Sequence, residues 1–221
     1  ETDVISRKFT IPEGKTSHDI LQILSEVEFL EGELPKELAE GSTLPSTYLY
    51  HRGDKYQDLI TVMQDSLKEE LQKEWEKRAE NLPIKTPEAA VILASIVEKE
   101  TGLDGERGLV ASVFTNRLNK GMRLESDPTA IYGITKGKPL GRKVLAKDMK
   151  DKSEYNTYVI DRLPPTPICS PGIEAIRAVL NPPQTDYFYF VANGQGGHNF
   201  GRNLAEHNAN VSHYRKVQAS K

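Results

Sequence analysis

The sequence has 221 residues, which suits one large domain or two small ones. Its 29 basic and 32 acidic residues give a net charge of −3, which argues against a nucleic-acid-binding protein driven by bulk charge. The single cysteine, Cys169, excludes an internal disulfide and a cysteine-rich zinc site. No stretch reaches the roughly 18 apolar residues that a membrane-spanning helix needs.

The first 50 residues predict a small unit of mixed helix and strand. Residues 8–11 resemble a short strand, Ser17 is a candidate cap for the helix that follows, and Thr47–Tyr50 is a second strand. Such a unit is too small for a large core, so a binding accessory is favoured over a catalytic domain.

Residues 54–81 predict a long, strongly charged helix. Its apolar side chains recur at helical spacing on one side, whereas Lys and Glu occupy the other. The helix therefore connects the N-terminal unit to the remainder of the chain. The apolar positions are Leu59, Ile60, Met63, Leu67, Leu71 and Trp75.

Residues 86–101 predict a helix that is buried around most of its circumference. Thr86 is a suitable N-cap and Pro87 suits the first helical position. Between residues 89 and 97 only Ser95 is polar, yet the run ends with two carboxylates, Glu98 and Glu100.

Helical spacing sends these two acids to different sides. Glu100 lies one turn beyond Ile96 and Val97, whereas Glu98 lies beyond smaller and partly polar side chains. An apolar surrounding raises the pKa of a carboxyl group and suits Glu100 to the general acid of glycosidic cleavage. The alternative is that both acids lie at the rim of the core and form ion pairs with Lys or Arg.

Residues 104–120 predict a second helix, and Gly121 suits its C-terminal cap. Residues 122–171 are irregular and rich in Pro, Gly, Tyr, Asn and Thr, which indicates a functional loop region. Tyrosine offers a flat face to a sugar ring, and Asn, Thr and Asp pair with hydroxyl groups. Each such residue has an alternative role in packing or turn formation within its own loop.

The C-terminal part predicts a helix over 173–180, a buried strand over 187–192, a returning strand over 198–200 and a final helix over 203–217. The glycine-rich turn at 194–197 lacks the Lys-Ser/Thr ending of a phosphate loop. His198, His207 and His213 do not have zinc-site spacing. We therefore predict no metal and no cofactor.

Seven motifs, spread over about residues 86–210, resemble those of the membrane-anchored endolytic murein transglycosylases, the MltG or YceG-like family, and follow the same order. The motifs are A-S-I-V-E-K-E-T (94–101), A-S-V-F-T-N-R-L (111–118), G-M-R-L-E-S-D-P-T-A-I-Y-G (121–133), Y-N-T-Y (155–158), L-P-P-T-P-I (163–168), S-P-G (170–172) and F-V-A-N-G-Q-G-G-H-N-F (190–200).

The resemblance implies that Glu100 is the catalytic acid. It would protonate the bridging oxygen between MurNAc and GlcNAc, then take the proton of the MurNAc C6 hydroxyl as that group attacks C1, leaving a 1,6-anhydro end. The implied sugar groove has one wall at Ser170 and Pro171. The residues expected to line it are Asp127, Thr129, Tyr132, Tyr155, Asn156 and Thr157.

The expected fold is α+β: a partial LysM-like module (1–50), a connecting helix (51–85) and a mainly helical catalytic domain with a β-hairpin (86–221). The chain starts at Glu1 rather than Met, so we expect a processed or truncated product. The resemblance implies a full-length protein anchored in the bacterial inner membrane by an N-terminal helix. Its catalytic domain would lie on the periplasmic side, with peptidoglycan strands and penicillin-binding protein synthases as partners.

Two other functions are consistent with the sequence. One is a lysozyme-like muramidase in which Asp127 is the second carboxylate and activates water. The other is a non-catalytic peptidoglycan-binding scaffold. The glycan product separates the lyase from the hydrolase, because only the lyase leaves anhydro ends.

Overall fold

The computed structural model describes residues 5–219 and has the expected α+β fold. This part of the chain forms seven α-helices and two two-stranded antiparallel sheets. The elements in chain order are β1 (Arg7–Thr10), α1 (Ser17–Ser25), β2 (Thr47–Tyr50), α2 (Tyr56–Glu76), α3 (Pro87–Glu100), α4 (Asp104–Asn119), α5 (Asp127–Thr135), a 3₁₀ turn (Asp148–Lys150), α6 (Ile173–Leu180), β3 (Tyr189–Ala192), β4 (His198–Gly201) and α7 (Leu204–Ala219).

The N-terminal elements enclose a small core of their own. Strand β1 pairs with β2 from Arg7 opposite Tyr50 to Thr10 opposite Thr47. Helix α1 is capped by Thr16 rather than by Ser17, because Thr16 and Asp19 form a reciprocal capping box. The core side chains include Phe9, Ile11, Ile20, Leu24, Ile60 and Met63.

Helix α2 is shorter at both ends than the predicted range 54–81. It begins at Tyr56 and ends at Glu76, with its C-cap at Lys77. Its first half packs into the N-terminal core through Ile60 and Met63. Leu67 and Trp75 further along it pack against a second, larger core. The helix is therefore shared between the two cores, while the domain boundaries 1–50, 51–85 and 86–221 stay a prediction.

Helix α3 is the centre of the larger core, and its prediction is confirmed at both ends. The Thr86 hydroxyl accepts the Ala89 amide, and the helix ends at Glu100. Helices α4 and α6 pack against it, which leaves every residue from Leu93 to Val97 buried. Because the C-terminal end of this helix is fixed on several sides, the backbone that carries Glu100 is held rigidly.

The segment 122–171 is less irregular than predicted. Residues Asp127–Thr135 form helix α5, whose first turn contains Pro128, a residue tolerated there because its missing N–H is not needed. The prediction of an irregular segment rests on its overall composition, and it is wrong for these nine residues because proline in the first turn is compatible with a helix. Helix α5 ends at Lys136 in a left-handed conformation.

The C-terminal hairpin begins later than predicted and is only half-buried. Strand β3 pairs with β4 from Tyr189 opposite Gly201 to Ala192 opposite His198. The connection turns on Asn193, whose side-chain oxygen accepts the amides of Gln195 and Gly197. Helix α7 packs on both strands. Within residues 5–219, none of the helices is both long and apolar enough to cross a bilayer.

Candidate active site

An open cavity of about 560 Å³ lies where the end of α3 meets the start of α5 and the C-terminal hairpin. Its polar lining is Glu100, Arg117, Glu125, Asp127, Tyr158, His198 and His207. Its apolar lining comes from Leu124, from the side of β3 between Tyr189 and Ala192, and from Leu204 at the start of α7. A concave site with an apolar wall and a few convergent polar groups is the usual form of a ligand site.

Glu100 lies at the floor of this cavity. It is the last residue of α3, one turn beyond the fully buried Ile96 and Val97. Its Oε1 accepts a hydrogen bond of 2.5 Å from the Ser126 hydroxyl. Among residues 5–219, no Lys or Arg lies within ion-pair distance of it, so the ion-pair alternative does not describe this residue.

Burial raises the pKa of Glu100 to about 7, far above the ordinary value of 4.5. The Ser126 hydrogen bond opposes this shift, because it stabilises the charged form. The negative charge of Asp127 raises the pKa further, whereas His198 lowers it. Near neutral pH both protonation states are therefore populated, which is the requirement for a group that acts as acid and then as base.

Ser126 is held in place by two buried threonines behind the cavity wall. Its amide donates to the Thr157 hydroxyl at 2.9 Å, and its carbonyl oxygen accepts from Thr129 at 2.6 Å. The two threonine hydroxyls lie 2.8 Å apart. Both side chains are completely buried. The structure therefore places Thr129 and Thr157 where they orient Ser126 rather than in the cavity lining, where the sequence led us to expect them.

Two further carboxylates border the cavity, each with its own partner. Asp127 accepts a hydrogen bond of 2.6 Å from the Tyr158 hydroxyl. Glu125 lies 2.9 Å from the guanidinium of Arg117, which also donates to the carbonyl of Leu124. The Glu125 backbone has a positive φ of 54°, an uncommon conformation for a residue other than glycine. Arg117 and Tyr158 thus hold Glu125 and Asp127 at the same edge of the cavity.

His198 faces the cavity from the hairpin and is fixed by Glu106 of α4. Its Nδ1 lies 2.7 Å from Oε2 of Glu106, and its backbone amide donates to Oε1 at 2.8 Å. A carboxylate on Nδ1 selects the tautomer with the proton there, which leaves Nε2 as the acceptor. No hydrogen bond from within the described residues engages Nε2. Sequence reasoning missed this pair, because its members are 92 positions apart.

Glu98 has a different environment from Glu100, as helical spacing predicts. Its carboxylate accepts the amide of Gly172 at 3.0 Å and lies 3.7 Å from the buried guanidinium of Arg107. Glu13 of the N-terminal unit also lies 3.7 Å from Arg107. Burial raises the pKa of Glu98, opposed by the Gly172 amide. The ion-pair alternative therefore applies to Glu98, which joins the two parts of the chain.

The structure does not bring the expected aromatic residues Tyr132 and Tyr155 into the cavity lining. Their rings contact each other, with centroids 4.9 Å apart. The Tyr132 hydroxyl donates to Glu40 at 3.1 Å, which directs the ring toward the N-terminal unit. Asn156 is fully buried and donates to the carbonyl of Asp151 at 2.7 Å. None of these three residues is among those that line the cavity.

Ser170 and Pro171 also lie outside the cavity, at the junction with the N-terminal unit. The Ser170 amide donates to the carbonyl of Lys15 at 2.8 Å, and its carbonyl accepts from Gly14 at 2.9 Å. Of the expected site residues, the structure thus brings Glu100 and Asp127 together. It also brings Ser126 and Tyr158 to these two carboxyl groups. Both residues occur within the motifs that carry the resemblance, but residue type alone does not single them out.

Residues 5–219 contain no cluster of three His, Cys, Asp or Glu side chains arranged to hold a metal ion. Cys169 is buried, and burial also raises the pKa of its thiol far above the ordinary value. A buried thiol with a high pKa is a poor nucleophile. The acid–base groups of the cavity are therefore the chemically active groups of this region.

Comparison with curated proteins gives relatives with one shared name. The chain is 36% identical over 177 residues to the endolytic murein transglycosylase of Bacillus subtilis (strain 168), covering 78% of this chain and 47% of that protein. It is 32% identical over 182 residues to the protein of the same name from Streptococcus pneumoniae (strain D39), covering 79% and 32%. The chain thus spans less than half the length of these relatives.

Comparison with solved structures agrees with this result. The crystal structure of a yceG-like protein from Listeria monocytogenes superposes with a TM-score of 0.71 at 30% identity, covering 91% of this chain and 75% of that one. The sequence also matches the YceG-like family over residues 1–213. Because this match covers nearly the whole sequence, we conclude that the chain belongs to the YceG-like family.

Proposed function

We propose that the chain is the catalytic part of an endolytic peptidoglycan lytic transglycosylase. It would cleave the MurNAc–GlcNAc β-1,4 bond within nascent glycan strands and leave 1,6-anhydroMurNAc ends, which terminates strand elongation. The observation that carries the proposal is Glu100: a carboxyl group with a pKa of about 7, at the floor of an open cavity. The relatives named endolytic murein transglycosylase support the same activity.

In the first step, protonated Glu100 donates its proton to the bridging oxygen as the bond from C1 of MurNAc breaks. The GlcNAc part leaves as an alcohol, and positive charge develops at C1. Glu100 becomes a carboxylate, and the Ser126 hydroxyl at 2.5 Å stabilises that charge.

In the second step, the Glu100 carboxylate takes the proton of the MurNAc C6 hydroxyl while that oxygen forms its bond to C1. The product is a 1,6-anhydro ring, and Glu100 is protonated again. The sequence of steps consumes no water and needs no second carboxylate as nucleophile. It needs one group that changes protonation state near neutral pH, and Glu100 meets that requirement.

The alternative reaction is hydrolysis, with Asp127 activating a water molecule as in an inverting glycosidase. It is favoured by the position of Asp127, which lies in the same cavity and whose charge raises the pKa of Glu100. In the lyase scheme Asp127 instead stabilises the positive charge that develops at C1, and the Tyr158 hydroxyl holds it in place.

Mass spectrometry of the products from uncrosslinked nascent glycan tests these proposals. We expect anhydro ends from the native protein and at least a hundredfold lower turnover from Glu100→Gln, because glutamine cannot donate the proton. Glu80→Gln, which changes an exposed carboxyl group, is the matched control and should behave as the native protein. Reducing ends would establish the hydrolase, and undiminished turnover by Glu100→Gln would contradict the assignment of the acid.

Glycan binding without turnover by the native protein would instead support the non-catalytic scaffold.

For the whole protein, we propose a membrane anchor preceding this sequence and action on the periplasmic side of the inner membrane beside penicillin-binding protein synthases. Since the sequence spans less than half of the curated relatives, these features are tested on the full-length protein. Localisation by fractionation and co-purification with the synthases are the direct measurements.

A further inference from the structure

The segment 136–154 has a charge opposite to that of the rest of the protein. It contains seven Lys and Arg against three Asp and Glu, which leaves 22 basic and 29 acidic residues elsewhere out of totals of 29 and 32. The segment therefore carries a formal charge of +4 (7 basic minus 3 acidic residues) within a protein of net charge −3. All seven Lys and Arg residues of the segment are exposed.

The centre of this segment is a loop with a defined conformation. Asp148 is buried and accepts two hydrogen bonds from the Arg142 guanidinium, at 2.7 and 2.8 Å. It also accepts the Leu145 amide at 2.7 Å. The hydrogen bonds from Arg142 lower the pKa of Asp148 to about 2. Asp148 is therefore charged across the physiological pH range, and its bonds to Arg142 and Leu145 close the loop throughout that range.

The closure at Asp148 projects the intervening residues 143–147 into solvent. Val144 and Leu145 are adjacent there, and they expose 44% and 46% of their surface. Lys143 and Lys147 flank them, and no carboxylate among the described residues lies within ion-pair distance of either ammonium group. The tip thus presents two aliphatic side chains between two unpaired cations.

We propose that this basic tip, residues 143–147 with the surrounding lysines of 136–152, docks on the surface of a bilayer that contains anionic lipid. The lysines are attracted to the negative headgroups, and the aliphatic pair enters the boundary between headgroups and acyl chains. A purely anionic polymer would engage the lysines but would leave Val144 and Leu145 in water. The combination therefore favours a lipid surface. This inference is independent of the chemistry at Glu100.

Vesicle sedimentation tests the inference with the protein of residues 1–221. We expect binding to phosphatidylcholine vesicles that contain about 30% phosphatidylglycerol, loss of binding at high salt, and no binding to phosphatidylcholine alone. Lys143→Glu with Lys147→Glu should lower the partition coefficient at least tenfold. The control is Lys77→Glu with Lys120→Glu, which makes the same change in net charge at exposed positions elsewhere.

The aliphatic pair is tested separately at constant charge. Val144→Ser with Leu145→Ser should lower partitioning several-fold, whereas Leu49→Ser with Val62→Ser, at positions at least as exposed, should not. Circular dichroism establishes that each variant folds. Absence of native binding to anionic vesicles would overturn the proposal, as would equal losses in test and control variants. Equal competition by free glycerophosphate would assign the segment to phosphate binding and would also overturn it.

Discussion

The hydroxyl of Ser126 donates a hydrogen bond of 2.5 Å to the carboxyl group of Glu100, and this bond joins the start of α5 to the end of α3. It opposes the increase in pKa that burial causes at Glu100. Removal of the hydroxyl therefore destabilises the charged form of Glu100 more than the neutral form.

Ser126→Ala should raise the pKa of Glu100 above its native value of about 7. The alkaline limb of the pH profile of kcat/KM should move upward, because Glu100 must be protonated to act as acid. The rate in the plateau should fall between about tenfold and a hundredfold, since the carboxyl group loses the group that orients it. The pH profile on nascent glycan is the measurement.

The control for this variant is Ser66→Ala, which removes an exposed hydroxyl that bonds to Val62 within α2. It should leave the profile unchanged. A downward shift of the limb in Ser126→Ala would contradict the role that we assign to the hydroxyl.

Glu100 should also make the stability of the fold depend on pH. Its folded pKa of about 7 lies above the ordinary value of 4.5, so the folded state binds more protons between these values and loses stability as the pH rises through them. The difference between the folded and the ordinary pKa of Glu100 corresponds to a loss of at most about 3 kcal/mol of folding stability at higher pH. Glu100→Gln should therefore stabilise the protein by about 1–3 kcal/mol at pH 8 and by almost nothing at pH 4.

Urea unfolding at a series of pH values measures this effect. Glu80→Gln, at an exposed position, should show no such trend. An equal stability gain at pH 4 and pH 8 would mean that the carboxyl group does not titrate with the raised pKa.

Thr157 gives a test of whether a predicted sugar contact is instead a support for Ser126. Thr157→Val keeps the volume but leaves the Ser126 amide without its acceptor, which costs about 1–3 kcal/mol of stability. Because the side chain is completely buried, we expect kcat to fall while KM changes little. Thr61→Val, on the exposed side of α2, is the control. A rise in KM at constant kcat would instead indicate that Thr157 contacts the substrate.

The position of Glu100 was predictable because it depends on local helical geometry. The run from Ala89 to Val97 is apolar enough to require burial, and the period of 3.6 residues separates Glu98 from Glu100. The capping residue Thr86 and the glycine after α4 follow from equally local rules.

The contacts of Thr129 and Tyr132 were not predictable, because they join segments that are distant in sequence. Once Asp127–Thr135 folds as a helix, Thr129 turns toward Thr157, and Tyr132 turns toward Glu40, 92 positions away in sequence. Residue type alone indicates that a threonine or tyrosine can bond to a sugar hydroxyl. It does not indicate that a protein group already occupies that bond.

The hydrogen bond between Glu106 and His198 should hold the hairpin against α4. The two side chains expose only 18% and 15% of their surface, so their bond at 2.7 Å is partly shielded from solvent. Glu106→Gln should lower the free energy of unfolding by about 1–3 kcal/mol. Glu174→Gln, which breaks the more exposed pair with Arg177, should change it by less than about 0.5 kcal/mol.

A double-mutant cycle separates this bond from the other contacts of each residue. His198→Asn retains a donor close to the position of Nδ1 but removes the free ring nitrogen. Combined with Glu106→Gln, it should show a coupling energy of about 1–2 kcal/mol in unfolding by urea. His198→Asn should in addition raise the pKa of Glu100, because the histidine lowers it in the native protein. Additive losses in stability, with an unchanged pH profile, would show that the pair fixes neither the hairpin nor the acid.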